Sequence, residues 1–174
     1  MGQYFKVVNL TKKEVMQSNL DDGTKFFEHS FINNPFMNRV MELIGEDGPW
    51  YKDKIIWCGD YAMKGLFTND KGINLFIESA SYKDLEFYEN PGNNFRYLVN
   101  DTCAYYIDLT KCPKCRNGLT IHPLPLLTST MDDDYRYEYC GFNAPLNGLW
   151  CGDSIYATNN KPEKYVEIVP NFIY

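Results

Sequence analysis

Imidazole is the side chain that ordinarily exchanges protons near neutral pH, so the two histidines are the first residues to question. They are His29, in Phe26-Phe27-Glu28-His29-Ser30, and His122, in Thr120-Ile121-His122-Pro123-Leu124-Pro125. No G-x-S-x-G turn or similar nucleophile motif accompanies them, so acid/base chemistry needs carboxylates from elsewhere in the chain. Asp60 and Asp153 are the candidates, because each closes the same tetrapeptide, Trp-Cys-Gly-Asp, at 57–60 and again at 150–153. A hydrolase or transferase site would join His122 to Asp60 and Asp153, with His29 as a fourth member. The competing reading is that histidines beside apolar residues are hydrogen-bonded core or rim positions. Pro123 and Pro125 should fix an extended backbone that holds His122 in place.

The repeated tetrapeptide has two readings of its own. In the first it ends a strand: the tryptophan anchors one face, the cysteine packs on the other, the glycine permits a close approach, and the aspartate bonds nearby amides. In the second, Trp57 and Trp150 line a ligand site and Asp60 and Asp153 meet at its mouth, as an acid/base pair or a cation site. The surrounding sequence shows no comparable self-similarity, so the echo reads as a local device rather than a tandem fold.

Cysteine supplies the remaining reactive chemistry, with residues at 58, 103, 112, 115, 140 and 151. Cys112-Pro113-Lys114-Cys115 is a C-x-x-C knuckle of the kind that grips zinc, and Cys140 is the next thiol to follow it. A zinc site on Cys112, Cys115 and Cys140 competes with a redox dithiol and with ordinary reduced thiols.

The elements that must position these residues read as an α+β chain, a single domain over 1–174. Residues 3–9 alternate as a first strand. Residues 25–30 suit a short strand or an extended connection. One helix is clear over 34–44: an asparagine caps it, Pro35 suits its first turn, Phe36, Met37, Val40, Met41 and Ile44 make its stripe, and Gly45 stops it. Strands are expected at 54–58, 74–78, 95–99, 104–109, 119–122, 135–139, 148–151 and 165–169, where β-branched or aromatic residues lie between turn formers. The economical architecture is one antiparallel or mixed sheet bent around that helix. Loops are expected at 90–94 and 159–162.

Composition narrows the function classes. At 174 residues, folding buries roughly 70% of the unfolded chain's surface, so a core needs no staples. Net charge is −6, from 23 acidic and 17 basic residues, without a basic cluster to track a phosphate backbone. Direct nucleic-acid binding is therefore disfavoured, and Asp132-Asp133-Asp134 reads as a solvated loop. No run suits a membrane span or a signal peptide, and Lys6 departs from the myristoylation pattern, so the expected setting is cytoplasmic.

The opening MGQYFKVVNLTKKE, HSFINNPF, WCGDYA at 57–62 and IHPLPLLT at 121–128 resemble a family of small uncharacterised proteins of bacteria, phages and large DNA viruses. Members of that family often carry alanine at the position of Cys58 and lack the Cys112/Cys115 pair, which implies that these thiols are not shared chemistry. The resemblance implies no activity and no cofactor; its context suggests an interaction or host-interference factor. The expected function is thus a non-enzymatic binding domain that presents tyrosine-rich segments, such as 88–90, 105–106 and 135–139, to a protein or small-molecule partner.

Overall fold

The computed structural model describes residues 3–17, 24–88, 95–115, 117–130 and 146–170. The expected strand 135–139, the acidic run 132–134, the loop 90–94 and Cys140 lie outside these residues. The fold is α+β, with two mixed four-stranded sheets where one bent sheet was expected.

Strand β1 (Phe5–Asn9) runs antiparallel to both β2 (Glu14–Met16) and β3 (Ile55–Gly59), and β4 (Lys83–Asp84) joins β2 in parallel, giving the order β3-β1-β2-β4. The second sheet repeats this plan. Strand β5 (Tyr97–Asn100) lies antiparallel to β6 (Tyr105–Asp108) and β7 (Ile155–Thr158), and β8 (Val166–Glu167) is parallel to β6.

The repeat extends to individual bonds. Asn9 pairs with Glu14 and Ile55 as Asn100 pairs with Tyr105 and Ile155. Lys13 and Ala104 both carry positive φ in the hairpin turns, at 55° and 56°. The Asn9 side chain donates to Asp53 and accepts from the Lys12 amide; Asn100 donates to Asp153 and accepts from the Cys103 amide. The expectation of a local device is therefore corrected. The chain holds two copies of one arrangement, and the echo misaligns them: Trp150 and Asp153 correspond to Trp50 and Asp53, while Trp57 corresponds to Ala157.

Four short helices are present among the described residues. The clear one, α2 (Pro35–Ile44), is as expected: the Asn34 side chain accepts from the Phe36 and Met37 amides and Pro35 opens the first turn. The other three correct the sequence reading. Residues 26–29 form α1 (Phe26–His29), with Glu28 bonding back to the Lys25 amide. The expected strand 74–78 is α3 (Leu75–Glu78), because the Asn74 side chain caps it by accepting from Ile77. Pro123 opens α4 (Pro123–Leu127) instead of extending the chain. Residues 119–122 make only isolated bridges, Phe31 to Ile121 and Lys114 to Thr120, and 148–151 form a turn. No helix among the described residues is long and apolar enough to cross a membrane.

The two copies exchange segments. After α2, Gly45 pairs with Ala157 of β7, whereas after α4, Ser129 pairs with Trp57 of β3. Lys54 and Ser154 meet as an antiparallel bridge between the copies. One buried cluster accordingly draws Val7, Met16 and Trp57 from one copy and Leu98, Ile107 and Trp150 from the other.

Candidate functional site

His29 is buried against Phe26, Phe36 and Trp57 and has no idle nitrogen. Nδ1 lies 2.7 Å from the Lys25 carbonyl, and Nε2 lies 2.8 Å from Trp57 Nε1. An indole N–H only donates, so Nε2 accepts and the proton sits on Nδ1. Burial lowers the imidazole to about 4, against a small opposing effect of the Lys25 carbonyl. His29 is a neutral structural bridge at neutral pH.

His122 is different. Its Nδ1 accepts the Leu124 amide at 3.2 Å and so caps α4, which leaves the ring proton on Nε2. That Nε2 is buried without a hydrogen-bond partner among the described residues. Burial lowers the imidazole to about 3, so the ring is a neutral N–H donor throughout the ordinary pH range. His122 itself has the extended backbone expected before a proline, and the cap and packing hold its imidazole; Pro123 and Pro125 lie in α4 rather than in an extended run.

The two aspartates go elsewhere. Asp60 accepts the Tyr4 amide at 3.3 Å, and burial raises its carboxyl despite the amides around it. Asp153 accepts Asn100 Nδ2 at 2.8 Å and the Cys103 thiol at 3.6 Å. None of these bonds ties either carboxylate to His122 or to His29. Trp57 and Trp150 are fully buried and flank one short segment: Trp57 accepts the Thr130 amide and donates to the Thr128 carbonyl, and the Trp150 amide donates to Leu127. Their rings belong to the core, and Cys58 and Cys151 share a smaller cluster behind β3.

The thiols of the knuckle are occupied with local structure. Cys112 is buried and pushed up to about 12, and the Cys115 thiol donates to the Leu119 carbonyl and to Asn117 Oδ1, closing a turn. Among the described residues, no three His, Cys, Asp or Glu side chains group to hold a metal ion. Of the tyrosine-rich segments, 135–139 lies outside the described residues, and Tyr88 and Tyr105 are exposed. Tyr106 is buried and donates to Glu167, and Tyr88 lies under the Arg39 guanidinium at 4.1 Å and donates to Glu42.

A cleft of about 390 Å³ opens where the copies meet. Ile32, Phe95, Leu109 and Cys112 give it apolar walls, and the exposed Arg96 and Lys114 stand at its mouth. Arg96 is oriented by Asp108 through Nε and Nη2. Burial opposes the charge on Asp108, but Arg96 and Thr110 outweigh it and hold the carboxyl at about 2. A recess of about 20 Å³ shares Ile32, Asn33, Phe95 and Leu109 with the cleft and adds the buried Asn38, Met41 and His122. Of the sequence candidates, the structure brings only His122 and Cys112 to this place. Phe95, Arg96, Leu109 and Lys114 carried no signal in sequence, since nothing there ties them to Ile32 or His122.

The chain matches no family model, no curated protein and no solved structure.

Proposed function

We propose that the protein is a non-enzymatic binding domain that takes a small molecule in the cleft between its two copies of the sheet arrangement. The observation that supports this reading is the combination of size and lining. The volume of about 390 Å³ is that of a small-ligand site, and the walls are apolar with a few polar groups at defined places. The lining offers no activated nucleophile, since its one thiol, Cys112, is pushed up to about 12 by burial. His122, in the wall of the adjoining recess, is a buried neutral donor without a carboxylate partner among the described residues, which suits recognition better than proton transfer.

The test is a screen of small carboxylates, carbonyl compounds and nucleotides by amide chemical shifts. The expected result is a saturable ligand that shifts the amides of Ile32, Thr110 and Thr120. Leu109→Trp, which fills the cleft, should abolish that response while the folded spectrum persists. A ligand that shifts none of these amides, or a screen without any cleft response, sinks the proposal.

A further inference from the structure

The recess shares four lining residues with the cleft and has in its wall His122, a donor without an acceptor among the described residues. A buried N–H left unpaired costs about 1–3 kcal/mol, and His122 Nε2 is such a group, in a side chain only 2% exposed. The tautomer is set by geometry: because Nδ1 accepts the Leu124 amide, Nε2 must carry the proton. His122 belongs to the wall of the recess, whose volume of about 20 Å³ accommodates about one oxygen-sized group. The recess, which Asn33 and Asn38 line beside Ile32, Met41, Phe95 and Leu109, therefore has room for one acceptor atom beside a neutral donor.

The opposite end has the opposite character. The charged residues lining the cleft are both cationic, Arg96 and Lys114, and both are exposed. Between the ends lie Ile32, Phe95, Leu109 and Cys112. A carboxylate taken to the inner end would lose its hydration for one neutral hydrogen bond, which is unfavourable; a carbonyl oxygen there loses little and satisfies the imidazole. A carboxylate at the mouth keeps water and gains the Lys114 cation, with the guanidinium of Arg96, already paired with Asp108, beside it.

Resting on the binding reading above, we infer that the ligand is a small oxo-carboxylate. Its carbonyl oxygen enters the recess and accepts the Nε2–H of His122, its apolar chain lies along Ile32, Phe95 and Leu109, and its carboxylate faces Lys114 and Arg96. His122 is then the residue that selects a carbonyl compound over its hydrocarbon counterpart.

The experiment uses the full chain and three probes: 5-oxohexanoate, hexanoate and 2-heptanone. The expected order places 5-oxohexanoate about tenfold tighter than hexanoate, the worth of one buried hydrogen bond. It should be a few-fold tighter than 2-heptanone, with that second margin shrinking in Lys114→Gln and at high salt. On binding, the Nε2–H proton of His122 in the unmodified protein should move downfield with 5-oxohexanoate and stay in place with hexanoate. His122→Asn keeps a cap for α4 and withdraws the donor, so it should bind the two carboxylates equally. Equal binding of 5-oxohexanoate and hexanoate by the unmodified protein, or an unmoved Nε2–H, overturns the assignment while leaving the cleft a binding site. So does a crystal structure of the complex with one water still held at Nε2. Absence of any cleft response to all three probes and to the wider screen overturns the binding reading itself.

Discussion

Trp57 and His29, 28 residues apart, share one hydrogen bond of 2.8 Å with their ring planes within 11° of parallel. The bond joins β3 to α1, and Phe36 of α2 meets the imidazole edge-on at 5.2 Å. His29→Phe keeps the ring but strands the indole N–H of Trp57. We expect a loss of about 1–3 kcal/mol in chemical denaturation, with Trp57 fluorescence altered in the folded state. Unchanged stability would mean that the bond is not made.

Both histidines make stability depend on pH in the same direction. The unfolded rings titrate near 6.5 and the folded ones at about 4 for His29 and about 3 for His122, so the unfolded chain binds protons first as the pH falls. Their contribution is complete above 6.5 and is lost below it, until about 4 for one ring and about 3 for the other. The slope is about 1.4 kcal/mol per pH unit for each ring while both are titrating. Asp108 adds a later loss, between its ordinary 3.8 and about 2. Denaturation midpoints measured from pH 8 to pH 3 should fall along this course, and His122→Asn should flatten it.

The paired asparagines offer a test of the duplication. Asn9 and Asn100 each donate to an aspartate at 2.8 Å and each accept a hairpin amide. Asn9→Ala and Asn100→Ala should each cost about 1.5–3 kcal/mol, the range for a hydrogen bond to a charged group. A large cost for one and none for the other would show that the two copies are not energetically alike.

The corresponding tryptophans differ in one respect. Trp50 Nε1 donates to Glu14 at 2.7 Å, whereas Trp150 Nε1 has no partner among the described residues. Trp50→Phe should therefore destabilise more than Trp150→Phe, by about 1–3 kcal/mol. Truncation of either to alanine should cost about 3–5 kcal/mol. Thermal denaturation of the four variants decides it; equal effects of the two phenylalanine changes would contradict the assigned bond.

Thiol reactivity should follow burial. Cys58, Cys112 and Cys151 are each pushed up to about 12, chiefly by burial, so a short alkylation at neutral pH should spare them in the folded protein. Cys103, exposed beside Asp153, should be modified before these three. Peptide mass spectrometry gives the order, and early labelling of Cys112 would show that the cleft floor is looser than described.

Much of the framework was readable in the sequence where a local signal sufficed. Asn34, Pro35 and Gly45 bracket α2, and alternation marked β1. Residues 74–78 misled because a three-residue apolar run, Leu75-Phe76-Ile77, lacks the length to distinguish strand from helix, and the deciding bond, Asn74 to the Ile77 amide, is a cap. The duplication was hidden because strand positions require only apolar character: Val7 answers to Leu98 and Met16 to Ile107. The identical tetrapeptides fell at unlike positions, and the pairs that do correspond, Trp50 with Trp150 and Asp53 with Asp153, share only a Trp-x-x-Asp spacing. The cleft was illegible for another reason: Ile32, Phe95, Leu109 and Lys114 come from four segments, and only folding brings them together.

The exchange of segments between the copies has a bearing on what the polypeptide is as a physical object. Gly45 borders a strand that residues 155–158 supply, and Ser129 borders one that residues 55–59 supply. A chain severed between 88 and 95 would yield two fragments, each with a vacant place beside its third strand and half of a common interior. Each fragment is thus the template on which the other is completed, so the halves should remain disordered apart and regain structure on mixing, in one bimolecular step with a single melting transition.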